Sequence, residues 1–225
     1  MRFYVGLDLG KKQDPSALAI VEKRSSILDD PRSTEAKWIE QTERKALTTL
    51  DISYLYRWPL NTPYTDIVAR VGDIMKNPKL MGEAYLIVDG TGVGAAVTEM
   101  IRAAGIPFIE IVIHSGKTVT RTGHLYSVPK MDLVSAMAVS FDQGLIRLAQ
   151  TEYRDQLVSE LQHFRYKITT AGNTTAAAWR ERDHDDLVLA SAMAIWYARR
   201  TGVRAGVERL EKEVKIKDYD PFADL

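Results

Sequence analysis

The sequence predicts an α/β fold in which a central mixed β-sheet is flanked by helices. Three observations lead to this class: strand-like alternation comes first in the chain, a strand–turn–helix–strand unit occupies residues 84–114, and helical patterns dominate the C-terminal half. Strands followed by a crossover unit and then helices are typical of one sheet with helices packed on its faces. We expect one domain over residues 1–205. The charge-dense tail at residues 206–225 has a composition that favours poor order.

The N-terminal segments alternate in polarity as strands do. Strands are predicted at residues 2–9, at 15–22 and, ending in the β-rich ISYLYRW, over a region from about 37 to 57. The polar residues 23–36 predict a loop between the second and third strands. Residues 64–75 have helical spacing, and Asn77-Pro78 follows the end of this helix.

The clearest unit begins at the apolar strand of residues 84–89. A glycine-rich turn at 90–94, a helix at 95–104 stopped by Gly105, and a strand at 107–114 follow it. Such a unit normally makes a right-handed crossover between two parallel strands.

The remaining elements are read from polarity and periodicity. The threonine-rich alternation of residues 115–129 predicts a protruding hairpin, and residues 130–148 predict a long amphipathic helix interrupted near Gly144. A helix at 152–163 and a short strand at 164–169 come next. The last helix, residues 183–199, is almost wholly apolar after its first turn.

The composition excludes several classes of protein. The 225 residues include no cysteine, so there is neither a disulfide framework nor a thiolate zinc site. No apolar run is long enough to span a bilayer, and the N-terminus lacks signal-peptide architecture, which together suggest the cytoplasm. The formal net charge is zero, which is unusual for a stand-alone DNA-binding domain. If DNA is the substrate, charges must be segregated on the surface, or another module must hold the DNA.

Acidic residues interrupt apolar segments at three places. Asp8 lies inside the first strand, Asp89 ends the strand Tyr85-Leu-Ile-Val, and Asp185 and Asp186 open the apolar last helix. A carboxylate beside a buried strand is costly unless it is paired or binds a cation. Each position also has a local explanation, as a turn former or as an acid favoured at a helix N-terminus.

Taken together, the carboxylates favour a metal site. If the first strand and the Tyr85 strand are parallel neighbours, Asp8 and Asp89 converge at one end of the sheet, where the start of the last helix can dock. Oxygen donors from three distant segments form a hard-ligand site suited to Mg²⁺ or Mn²⁺. Two such ions about 4 Å apart can activate water for phosphodiester hydrolysis.

These motifs resemble a known family. Strand-borne Asp8, Asp89 in IVDGTGVG, and His184-Asp-Asp-Leu-Val-Leu-Ala190 look like the nuclease domain at the C-terminus of phage terminase large subunits, which is RNase H-like. The resemblance runs from Met1 to about Arg200, and HDDLVLA is its most specific element.

The resemblance implies a metal-dependent endonuclease that cleaves double-stranded DNA during viral genome packaging in the host cell cytoplasm. It implies that Asp8, Asp89 and Asp186 are the catalytic metal ligands, that Asp185 joins them, and that Asp14 is an additional acid near the site. The implied cofactors are Mg²⁺ or Mn²⁺, as two ions. The implied partners are DNA, a packaging ATPase domain, the small terminase subunit and the portal, with no membrane.

Other interpretations remain open. Gly90-Thr-Gly-Val-Gly-Ala95, with Glu110 downstream, resembles a dinucleotide fingerprint, but Ala95 stands where the third glycine belongs. Ser115-Gly-Lys-Thr118 resembles a P-loop without its first glycine. An actin-like nucleotide-binding module would explain GLDLG and VDGTGVG, although such proteins need two domains and HDDLVLA is left unexplained. A junction resolvase or transposase-like nuclease of the same fold is a further alternative.

Basic residues flank the proposed site or its loops. Those expected to hold DNA phosphates are Lys11, Lys12, Lys117, Arg121 and Lys130. Lysines and arginines on loops are solvated more often than not, so an ordinary solvated surface is the alternative for each of them. The four histidines have no metal-ligand spacing, and His184 is either a surface residue or a neighbour that tunes the metal site.

Overall fold

The structure, a computed structural model, describes residues 1–10, 14–27, 46–170 and 185–201. The strands and helices in this part of the chain are β1 (Arg2–Asp8), β2 (Ala17–Ile27), β3 (Ala46–Arg57), α1 (Tyr64–Met75), β4 (Ala84–Asp89), α2 (Gly94–Ala103), β5 (Phe108–His114), β6 (Thr120–Thr122), β7 (Leu125–Pro129), α3 (Lys130–Asp142), β8 (Ile146–Leu148), α4 (Arg154–Thr170) and α5 (Asp186–Arg200).

The strands form one mixed sheet in the order β6-β7-β5-β4-β1-β2-β3-β8. β2 is antiparallel to both β1 and β3, whereas β4 is parallel to β1 and β5 is parallel to β4. The two outermost strands, β6 and β8, have only three residues each. Because β1 and β4 are parallel neighbours, their carboxyl ends, Asp8 and Asp89, lie at the same edge of the sheet.

Helices cover both faces of the sheet, and strand alternation decides which side chain meets which layer. Phe3, Val5 and Leu7 of β1 pack in the cluster formed with α1 and α2. Tyr4 belongs to the opposite cluster, formed with α3, α4 and α5. Gly6 and Asp8 share the parity of Tyr4, so Asp8 belongs to the face that α5 covers. The same alternation places Asp89 on that face, two residues after Ile87.

Helix α5 is buried from Asp186 through Ala198, as its apolar sequence predicts. It can approach β1 closely because Gly6 has no side chain: a Cβ there would lie 2.0 Å from the Ala190 carbonyl oxygen. At its C-terminal end, Lys23 Nζ donates to the carbonyls of Ala198 and Thr201, both at 2.6 Å. A cation at this end complements the helix dipole. Gly6 and Lys23 therefore determine how closely α5, which begins at Asp186, packs against the sheet.

The prediction of a central mixed sheet flanked by helices is confirmed, and so is the crossover unit of β4, α2 and β5. The hairpin expected within residues 115–129 is present as β6 and β7, which turn at Gly123 with a φ of 61°. It does not protrude as a separate arm, because β7 pairs in parallel with β5 and so extends the sheet.

Three expectations about the elements were wrong. The helix predicted over 130–148 ends at Asp142, because Gly144 adopts a φ of 66° and the chain then forms β8 against Leu50–Ile52. The strand predicted at 164–169 is helical, since α4 continues to Thr170. The loop predicted from residue 23 begins later, because β2 continues to Ile27 in register with β3.

Several expectations lie outside the described residues. They concern the loop after residue 27, the strand region before residue 46, the first residues of the last predicted helix at 183–184, and the tail at 206–225. The domain extent of 1–205 stays a prediction.

Candidate metal centre

Asp8 and Asp89 form the middle of the site. They end two adjacent parallel strands, and their side chains are almost fully enclosed, with 8% and 9% exposure. Burial, and then the negative charges of Asp89, Asp185 and Asp186, raise the pKa of Asp8 well above its ordinary value. The Asp8 carboxyl shares a hydrogen bond with Asp89, whose own pKa is also raised by burial. Two carboxyls in such contact can both ionise readily only when a cation joins them.

Asp89 is held in place by the turn that follows β4. The backbone N–H of Thr91 donates to Asp89 Oδ1 at 2.8 Å, and the Thr91 hydroxyl also hydrogen-bonds this carboxylate. Thr91 Oγ1 in turn accepts the Ile113 N–H at 2.8 Å. A Cβ on Gly94 would lie 2.0 Å from the Asp89 carbonyl oxygen, so the turn needs glycine there for close approach. The glycines at 90–94 thus build a turn that orients a carboxylate.

Asp186 enters the site from α5 and is paired with a cation that the sequence analysis did not consider. Arg57, the last residue of β3, donates from Nε to Asp186 Oδ2 at 2.7 Å and from Nη2 to Asp186 Oδ1 at 3.1 Å. Arg57 Nη2 also forms an ion pair with Glu160 of α4. Asp186 is only 4% exposed, so this is a charge-assisted, two-pronged contact in a protected place.

Glu160 connects this pair to the start of α5. Its Oε2 accepts the backbone N–H of Val188 at 3.2 Å, which satisfies one of the free donors at the helix N-terminus. Burial, and then the charge of Asp186, raise the pKa of Glu160 to about 7, while Arg57 opposes the shift.

Asp185 lies at the rim and is paired with Lys130. Lys130 is the first residue of α3, and its Nζ lies 2.8 Å from Asp185 Oδ2. The same ammonium group acts to lower the pKa of both Asp8 and Asp89. The structure therefore places Lys130, predicted as a DNA-binding residue, among the carboxylates.

The other predicted site residues are placed differently. Asp14 is exposed. Lys117 is exposed, and Arg121 lies over the Tyr126 ring, 5.0 Å from its centroid, with Nε donating to the Gly123 carbonyl. Lys11, Lys12 and His184 lie outside the described residues.

Sequence reasoning missed Arg57, Glu160 and Thr91. The sheet register contains a signal for Arg57, since Asp8 pairs with Ala17 and Ala17 pairs with Arg57, so the three lie in one row. This signal appears only once the strand order is known. Glu160 gives no comparable signal, because it is one of several polar residues in the first half of α4 and others among them are exposed.

The donor set suits a hard divalent cation. Five carboxylates (Asp8, Asp89, Glu160, Asp185, Asp186) are met by two cations (Arg57, Lys130) among the described residues, which leaves three negative charges when all are ionised. All the donors are oxygens, which Mg²⁺ and Mn²⁺ prefer. Within the described ranges, however, no three acidic or histidine side chains already form a ready-made metal cage. The chemistry of the donors fits these ions.

The structure also bears on the P-loop alternative. Lys117 and Thr118 are followed by strand β6 and not by a helix, so no helix N-terminus meets a bound phosphate there. None of the helices in the described ranges is long and apolar enough to cross a membrane.

The order β3-β2-β1-β4-β5, with β2 antiparallel to its neighbours and carboxylates ending β1 and β4, is that of the RNase H-like fold. The fold prediction is thereby confirmed. No family model matches the chain.

Two curated relatives are terminase large subunits, from Thermus virus P23-45 and from Thermus phage G20c. Each is 26% identical to this chain over 193 residues, which cover 85% of the chain and 31% of the relative. The chain is therefore similar to a part of these proteins that amounts to less than a third of their length. The resemblance to terminase large subunits indicated by the motifs is confirmed by this similarity.

Solved structures with some likeness include the large terminase nuclease from thermophilic phage G20c, with a TM-score of 0.49 and 21% identity over 86% of this chain and 80% of that one. A Mn-soaked human cytomegalovirus terminase nuclease domain has a TM-score of 0.43 and 14% identity over 87% and 83%. Thermus thermophilus RuvC has a TM-score of 0.38 and 14% identity over 88% and 96%.

Proposed function

We propose that this chain is a divalent-metal-dependent endonuclease domain that cleaves double-stranded DNA during viral genome packaging. The main support is that Asp8 and Asp89, from two parallel strands, and Asp186, from a buried helix, lie close enough to influence one another electrostatically. The carboxylates of the site outnumber its cations. The similarity to terminase large subunits supports the choice of DNA as substrate and of packaging as the setting.

Each carboxylate has a distinct part in this proposal. Asp8 and Asp89 are the inner ligands, because they are buried, adjacent and fixed by the sheet and by Thr91. Asp186 is the third ligand, and Asp185 at the rim joins for a second ion. Two bound Mg²⁺ or Mn²⁺ ions would activate the attacking water and stabilise the leaving oxygen. The protein residues hold the ligand oxygens in place, and no protein nucleophile is needed.

DNA binding is expected to be weak and independent of sequence, since the net charge is zero. Lys117 and Arg121 on the hairpin segment, together with Lys11 and Lys12, are the proposed phosphate contacts. A packaging ATPase domain, the small terminase subunit and the portal would supply DNA positioning in the host cell cytoplasm. These partners rest on the family resemblance alone.

The test is cleavage of supercoiled plasmid by the full chain. We expect nicking and linearisation with Mn²⁺ or Mg²⁺ and none in EDTA, with Asp186→Asn inactive and Asp185→Asn only partly impaired. Asp73→Asn, which removes an exposed carboxylate from α1, is the matched control and should cut normally. Robust cutting in excess chelator would refute the metal mechanism. Activity that survives Asp186→Asn but is lost in Asp185→Asn would exchange their roles.

Two further arms separate the alternatives. Comparing the cleavage of a linear duplex with that of a four-way junction tests the hypothesis of a resolvase-like nuclease, which requires a strong preference for the junction. Calorimetry with ATP tests the hypothesis of a nucleotide-binding module. Stoichiometric, micromolar binding of ATP would favour that module over a nuclease.

A further inference from the structure

The Arg57 guanidinium is paired with two carboxylates of the candidate site. It spans both oxygens of Asp186, at 2.7 and 3.1 Å, and it is also paired with Glu160. Its side chain is 19% exposed, and those of Glu160 and Asp186 are 9% and 5% exposed. A planar, permanently charged guanidinium matches a carboxylate in this two-pronged way, which an ammonium group cannot do.

This contact conflicts with metal binding at the same carboxylate. Both Asp186 oxygens already share their charge with a cation, and a divalent ion bound to them would lie close to the positive guanidinium. Like charges at such separations repel strongly, most of all where water is excluded. Metal binding at Asp186 and the full Arg57–Asp186 contact therefore oppose each other.

Glu160 gives the guanidinium a second acceptor. It lies on α4 and accepts the backbone N–H of Val188 at 3.2 Å, so it is held without a contact to the Asp186 side chain. Arg57 can release Asp186 and keep a paired charge, which avoids the high cost of an unpaired buried cation.

We propose that Arg57 is the internal counter-ion of Asp186 that a divalent ion displaces, and that Glu160 retains the displaced guanidinium. The inference rests on the proposed function in one respect, that Asp186 is a metal ligand. Arg57 and Glu160 then act as positioning residues that set how readily the site takes up metal. Among the described residues, Asp186 is paired with Arg57, and no three acidic or histidine side chains are arranged as a metal cage.

The proposal predicts opposite effects for the two partners. Arg57→Gln removes the competing charge and should tighten Mn²⁺ binding about tenfold. Glu160→Gln removes the negative charge of the alternative acceptor, so the guanidinium of Arg57 stays with Asp186, and Mn²⁺ binding should weaken by roughly threefold or more. Arg57→Lys keeps the charge and should stay closer to the wild type than Arg57→Gln does. If Arg57 only supported the local structure, Arg57→Gln would weaken binding as well.

The experiment is titration of Mn²⁺ into the full chain. Binding is measured by calorimetry and by the loss of the electron paramagnetic resonance signal of free Mn²⁺. The matched control is Arg24→Gln, since Arg24 is also paired with two carboxylates, Glu22 at 2.8 Å and Asp51 at 3.2 Å, at the far end of β2. We expect this control to bind Mn²⁺ as the wild type does.

The outcomes separate the two claims. Mn²⁺ binding that is lost in Asp186→Asn but is unchanged or weaker in Arg57→Gln overturns the counter-ion role and leaves the proposed function standing. Mn²⁺ binding that is equal in the wild type and in Asp186→Asn refutes the metal-ligand assignment itself. If Arg57→Gln does not fold, Glu160→Gln decides, and unchanged or tighter binding by that variant overturns the inference.

Discussion

Gly6 allows helix α5 to lie against the centre of the sheet, and replacing it with alanine should disturb both stability and the site. A Cβ at Gly6 would stand 2.0 Å from the Ala190 carbonyl oxygen, where real contacts need at least 3.0 Å. The gap between β1 and α5 must therefore open by about 1 Å. The obstacle is backbone and α5 is buried along its length, so no flexible side chain can yield. We expect a loss of about 3 kcal/mol, the upper part of the range for overpacked cores.

The same displacement should reach the carboxylates, because Asp186 precedes Ala190 by one helical turn. A misplacement of about 1 Å in catalytic groups can cost roughly 100-fold in rate. Urea denaturation with a circular dichroism readout measures the stability, and plasmid nicking with Mn²⁺ measures the activity.

Gly72→Ala is the matched control for this change. The Cβ at Gly72 would make an ordinary contact, 3.4 Å from Ile106 Cδ1, within helix α1. It should stabilise the fold by up to about 1 kcal/mol through helix propensity. A urea midpoint of Gly6→Ala equal to that of the wild type would refute the close approach of α5 to β1.

Two other predictions follow from charges. In EDTA, the raised pKa of Asp8 means that this carboxyl binds its proton more tightly in the folded protein than in the unfolded chain. The free energy of unfolding should therefore fall as the pH rises from 3.8, the ordinary pKa of aspartate, through the higher pKa of the folded state. Asp8→Asn should flatten this decline in the melting temperature measured against pH, and parallel curves for the two proteins would contradict it. On the hairpin segment, replacing Lys117 and Arg121 with alanine should reduce the salt dependence of duplex binding by about 0.9 in log–log slope for each lost phosphate contact. Fluorescence anisotropy over a salt series measures this slope, and no change would assign both residues to plain surface.

Much of the fold was predictable because its signals are local. The alternation of β1, the apolar run of β4 and the glycine that stops α2 each act within a few residues. β8 was missed because it has only three residues, and they form a strand only by pairing with Leu50–Ile52, far away in the sequence. The C-terminal half of α4 was mistaken for a strand because its local β-propensity is overridden by the helix that continues through it.

The candidate site was predictable to a similar extent. Parallel pairing of β1 with β4 is enough to bring Asp8 and Asp89 together, and the sequence analysis assumed that pairing, which the structure contains. The partners of the other two carboxylates were not predictable. A buried acid requires a counter-charge, but whether Arg57 or Lys130 supplies it depends on tertiary packing across β3, α3 and α5.

The three-residue length of both outermost strands has a consequence for how copies of the molecule behave when crowded. An exposed strand edge offers unpaired N–H and C=O groups to any neighbouring chain, and long edges invite stacking into fibres. β6 and β8 expose very little of such a template, and β6 has threonine at both ends and an arginine between them. At the β6 end of the sheet, copies brought to high local concentration therefore have little tendency to recruit strands from one another.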